Sequence, residues 1–113
     1  MLRIYHNPRC RKSREGLEYL SGKSKKIDVV DYLKNGITES EIREIIIKMS
    51  EPASNLVRTQ EDYYKKELKG RKISDDQWIS ILSCNPRLIQ RPIVVTEHKA
   101  VLAQPPEKMD ILL

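Results

Sequence analysis

The sequence predicts an α/β fold: a mixed four-stranded sheet with a helical insertion between its second and third strands. Three observations predict it. A strand pattern, a helical pattern and a second strand pattern follow one another at the N-terminus; two capping boxes open helices in the middle of the chain; and the last third carries a hairpin followed by a short helical turn.

The elements are justified in order. Leu2 and Ile4 alternate with Arg3 and Tyr5, the period of a strand. Asn7-Pro8 breaks it, because proline fixes φ and restricts its predecessor. A helix follows, with Leu17 and Leu20 on its apolar face, and Ser21-Gly22-Lys23 ends it before the β-branched segment from Ile27 to Tyr32, read as the second strand. About 25 residues separate the two strand patterns, a crossover length that makes them parallel neighbours. Thr38 and Glu41 form a capping box ahead of Ile42, Ile45, Ile46 and Met49, which share one helical face. From Pro52 to Lys72 the chain reads as irregular or short helical structure, with a break at Gly70. Ser74 and Gln77 repeat the capping-box spacing before Trp78, Ile81 and Leu82, and Asn85-Pro86 stops that helix. Ile93-Val94-Val95 and Val101-Leu102-Ala103, joined through Glu97-His98-Lys99, make a hairpin. Pro105-Pro106 starts a last helical turn with Met109, Leu112 and Leu113 on one face.

A chain of 113 residues with 39% hydrophobic composition supports one small domain, residues 1–113. The formal charge of +5 is spread along the chain and lacks the clustered basic stripe of nucleic-acid binders, so small anions fit better as partners. No apolar run approaches the roughly 20 residues of a membrane span, and the N-terminus lacks a secretion-signal pattern, so a cytoplasmic protein is expected. Two cysteines, Cys10 and Cys84, are too few for a disulfide framework and lie in neither a CxxC nor a metal-ligand spacing.

Cys10 is the residue with a chemical signature. It sits between the first strand and the first helix, with Arg9, Arg11, Lys12 and Arg14 within four positions. A helix N-terminus and neighbouring cations lower a thiol pKa from about 8.5 to roughly 3.5 to 7.5, which makes the thiolate a nucleophile at neutral pH. Cys84, at a helix end, is expected to pack.

With the thiol at the first strand-to-helix junction, the element order is that of a thioredoxin-like fold. The motif HNPxCxxSR from His6 to Arg14, Leu56-Val57-Arg58, Arg91-Pro92-Ile93-Val94-Val95 and Asp110-Ile111-Leu112 resemble the glutaredoxin-dependent arsenate reductase family, which also includes the Spx-type regulators. The resemblance runs nearly end to end. It implies that Cys10 attacks arsenic in arsenate or a related oxidised substrate, and that Arg58 and Arg91 bind the oxyanion. Guanidinium forks suit such an anion because they donate paired hydrogen bonds. It further implies that His6 helps to lower the Cys10 pKa, that Ser13 and Arg14 belong to the anion-binding first turn, and that Pro92 follows a cis bond. No bound metal or organic cofactor is expected; glutathione or glutaredoxin supplies the electrons.

Three departures from the family pattern stand out. Gln104 occupies the place of a third arginine in the reductases, Arg11 and Lys12 replace a small glycine-containing stretch, and Ser13 stands where the regulators have the second cysteine of a CxxC. The reading is thus a one-cysteine thiol oxidoreductase. Two alternatives are a non-enzymatic regulator that binds RNA polymerase and a general glutathione-linked thiol oxidoreductase.

Overall fold

The structure is a computed structural model and describes residues 2–24 and 26–113. Its strands are β1 (Leu2–His6), β2 (Ile27–Asp31), β3 (Ile93–Val95) and β4 (Ala100–Leu102). They form one mixed sheet in the order β2-β1-β3-β4. β1 and β2 are parallel, with Ile4 opposite Val29, while β1–β3 and β3–β4 are antiparallel, with Ile4 opposite Val94 and Val94 opposite Val101. The helices are α1 (Arg11–Ser21), α2 (Tyr32–Asn35), α3 (Glu39–Met49) and α4 (Asp75–Cys84). Shorter helical turns run over Ala53–Leu56, Tyr64–Leu68, Pro86–Leu88 and Pro106–Leu112. Among the described residues no helix is long and apolar enough to cross a membrane.

Strand alternation divides the core between the two faces of the sheet. Ile4 and Val94 point to one side, where they pack with Leu20 of α1, Ala103 and Met109. Tyr5, Ile93 and Val95 point to the other, where Tyr32, Ile42, Ile45, Trp78, Ile79 and Leu82 cover them. Each fully buried Ile or Leu contributes about 1.5–3 kcal/mol relative to exposure, so these two clusters clamp the sheet between helical layers. Both capping boxes form: Thr38 Oγ1 accepts from the Glu41 N–H at 3.1 Å, and Ser74 Oγ from the Gln77 N–H at 3.2 Å, with the reciprocal bonds in place.

Three local expectations are corrected. The second strand ends at Asp31, one residue early, because the Asp31 carboxylate accepts from the Lys34 N–H at 3.2 Å and starts α2, with Tyr32 turned into the core. Cys84 is exposed and does not pack; it lies two positions after the buried Leu82, on the opposite side of α4. In the last turn Pro106–Leu112 is a 3-10 helix, whose three-residue period puts Met109 and Leu112 inward and leaves Leu113 out.

Candidate active site

The turn after β1 presents the thiol. The Cys10 N–H donates to the Asn7 carbonyl at 3.0 Å, and the Cys10 carbonyl accepts the Arg14 N–H at 3.0 Å, the first bond of α1. Cys10 is therefore the N-cap, in extended conformation, and its half-buried side chain stands where the first N–H groups of the helix have no intrahelical acceptor. No acid lies in that first turn to occupy them. Burial pushes the Cys10 pKa up, but the Ser13 N–H, the Arg91 guanidinium and the Lys12 N–H more than offset it, so the thiol is more acidic than an ordinary one.

Two arginines distant in sequence reach this end of the sheet through one short piece of backbone pairing. Val57 bridges Ile89 in antiparallel register, the Arg58 N–H donates to the Leu88 carbonyl at 2.7 Å, and the Gln90 N–H donates to the Leu56 carbonyl at 2.7 Å. This places Arg58 beside the segment that ends in Arg91. Arg91 is the last residue but one before β3, the neighbour of β1, so the sheet itself carries its guanidinium to the thiol. Arg58 Nε is held by Glu61 Oε2 at 3.1 Å. Arg91 Nη1 donates to the Arg87 and Ile89 carbonyls at 3.3 and 3.4 Å, while its Nε is buried without an acceptor among the described residues. A guanidinium donor in that state costs free energy until something accepts from it, and the nearest function for it is an anion.

The model of the ArsC family matches residues 5–112. The chain belongs to the ArsC family. It is 32% identical over 114 residues to an arsenate reductase of Neisseria meningitidis, across 99% of this chain and 97% of that one. It is also 38% identical over 110 residues to the uncharacterized Escherichia coli protein YfgD, across 96% of this chain and 92% of that one. A solved arsenate reductase from Vibrio cholerae superposes with a TM-score of 0.92 at 32% identity, covering 99% of this chain and 97% of that one. The fold is thioredoxin-like, with the helical insertion between strands β2 and β3.

Within this ArsC chain the other predicted residues are placed as follows. Ser13 is fully buried, and its Oγ lies 2.8 Å from His6 Nδ1 and accepts the Asn7 N–H at 2.9 Å. It ties the end of β1 to the first turn of α1. Burial lowers the His6 pKa, with Arg14 adding to the effect against Asp31 and Ser13. Arg14 is exposed and donates from Nη1 to the Pro8 carbonyl at 3.1 Å, which braces the loop. The Arg91-Pro92 peptide is cis, as is Gln104-Pro105. Gln104 donates from Nε2 to the Arg91 carbonyl. It thus meets the arginine's backbone from the β4 side. Among the described residues no three potential metal ligands converge.

Sequence reasoning missed three participants. Tyr32 is fully buried, donates its hydroxyl to the Ile89 carbonyl at 3.2 Å, and shares that acceptor with Arg91. Burial pushes its pKa up to about 12, and Arg91, Arg58 and Cys10 all act on the hydroxyl, which marks it as part of the same cluster. Gly16 allows α1 to sit on Pro92: a Cβ there would lie 2.5 Å from Pro92 Cγ. Glu61 partners Arg58. Reading Tyr32 as a strand residue hid the first, and the other two depend on contacts across the fold that no local pattern carries.

Proposed function

We propose that this protein reduces arsenate, or a closely related tetrahedral oxyanion, by thiol chemistry at Cys10. The observation that carries the reading is the Arg91 guanidinium: it acts on the Cys10 sulfur and keeps a buried Nε–H without an acceptor among the described residues. An oxyanion oxygen would satisfy that donor while its central atom faced the sulfur. Arg58 adds a second cation, and the free N–H groups at the start of α1 add neutral donors.

The chemistry follows in two stages. The Cys10 thiolate attacks arsenic; an As–S bond forms, an As–O bond breaks, and the departing oxygen takes up protons and leaves as water. Arsenic remains pentavalent at this point. Two electrons then come from thiols, of which glutathione and glutaredoxin are the proposed sources: two thiols become one disulfide, arsenic becomes trivalent, and arsenite is released. Balanced overall, arsenate and two thiols give arsenite, a disulfide and water. The relatives named arsenate reductase support this substrate.

The test is turnover by the reduced protein with arsenate, glutathione and glutaredoxin, followed by loss of NADPH through glutathione reductase. Activity that disappears in Cys10→Ser is the expected result. Absence of any Cys10-dependent turnover overturns the arsenate reading. In the same assay Gln104→Arg should lower the KM for arsenate, because it restores a cation where the family's reductases carry one.

A further inference from the structure

We propose that Glu61 selects which tetrahedral oxyanion this site takes. Its carboxylate accepts a hydrogen bond from an anion that still carries a proton, such as hydrogen arsenate or hydrogen phosphate, and repels one that carries none, such as sulfate. The inference rests on the oxyanion reading of the site and names a specificity-determining residue within it.

The cavity beside Arg91 has a volume of about 490 Å³, and its walls carry Arg9, Arg87 and Arg91 against a single carboxylate, that of Glu61. None of these three arginines forms an ion pair among the described residues. Glu61 is the exception on a wall otherwise suited to negative charge. Like charges a few ångströms apart repel more strongly at a partly buried site than in bulk water, so this carboxylate works against an entering anion unless the anion gives it a hydrogen bond. An ionised carboxylate offers acceptors only, and the donor must therefore come with the anion. Arsenate and phosphate keep an O–H at neutral pH. Sulfate, of similar size and shape, has none.

The fold fixes this carboxylate rather than leaving it to swing in solvent. Its Oε2 accepts from Arg58 Nε at 3.1 Å, the Glu61 N–H donates to the Arg58 carbonyl at 3.2 Å, and the Glu61 carbonyl accepts the Lys65 N–H at 3.2 Å. The two side chains are 18% and 30% exposed, so water screens the pair only in part. One carboxylate oxygen is thus taken by the arginine, and Oε1 is the acceptor left for the anion's O–H. Guanidinium donors and a carboxylate acceptor side by side match an anion that presents both a bare oxygen and a hydroxyl.

The test measures how inorganic phosphate and sulfate protect Cys10 of the full chain from iodoacetamide, in mildly alkaline buffer where both are dianions, at constant ionic strength. The quantity read is the ratio of half-protecting concentrations, sulfate over phosphate. In the parent it should be about ten, the effect of one hydrogen bond to a charged group. In Glu61→Gln, whose amide both accepts and donates, it should fall to about one. A residue that only braced Arg58 would change both concentrations by the same factor and leave the ratio unmoved. A parent ratio near one, which needs no variant to measure, or a parent ratio that persists in Glu61→Gln, overturns the assignment and leaves the oxyanion reading in place. Protection by neither anion in the parent overturns both.

Discussion

At the scale of single residues, the chemistry depends on how readily Cys10 ionises. Burial disfavours the thiolate, and the Ser13 N–H, Arg91 and the Lys12 N–H favour it by more. Arg91→Ala removes the only side-chain charge among these influences, so the midpoint of iodoacetamide alkylation against pH should move upward; an unmoved midpoint would leave the helix N-terminus as the sole activator. His6 makes the opposite kind of prediction. Its folded pKa lies below the unfolded value of about 6.5, so between the two the unfolded chain binds more protons. The stability it contributes is therefore complete above about pH 6.5 and is lost as pH falls through the folded pKa. Urea midpoints should decline on acidification below that point in the parent and decline less in His6→Asn.

At the scale of elements, the packing of α1 is set by one glycine. Gly16 sits in mid-helix, where alanine would gain up to about 1 kcal/mol of propensity. A Cβ would however lie 2.5 Å from Pro92 Cγ, and relieving such an overlap costs about 1–3 kcal/mol. Gly16→Ala should thus be net destabilising by thermal melting, and arsenate turnover should fall with it, because Pro92 follows Arg91. This contact shows where sequence reading stops. The apolar spacing of α3 and the two capping boxes were legible, since each is written in residues three or four apart. The thiol at the strand-to-helix junction was legible for the same reason. The pairing of Leu56–Arg58 with Leu88–Gln90 and the inward turn of Tyr32 were not: they join segments about 30 to 57 residues apart, and only the closed fold brings them together. Arg58 and Arg91 were found through motif resemblance.

For the whole molecule, a net charge of +5 and a site in which Arg91 forms no ion pair among the described residues mean that anions should stabilise the fold. A ligand that binds only the folded state at a hundred times its Kd contributes about 2.7 kcal/mol. Arsenate, in excess, should accordingly raise Tm by several degrees, with the rise abolished in Arg58→Ala/Arg91→Ala; an equal rise in that variant would assign the effect to general charge screening. Tm should also respond to salt, because exposed cations are screened within a Debye length of about 8 Å at 0.15 M.

The unequal anchoring of Arg58 and Arg91 has a kinetic meaning. Arg91 and Cys10 flank β3 and β1, central strands that pair on both edges, whereas the backbone at Arg58 is moored by one isolated bridge, made of two amide hydrogen bonds. By hydrogen exchange, amides of the central strands should be the slowest and those of Arg58 and Gln90 faster. Loss of the short Val57–Ile89 pairing would therefore displace Arg58 while Cys10 and Arg91 stayed in register on the central strands.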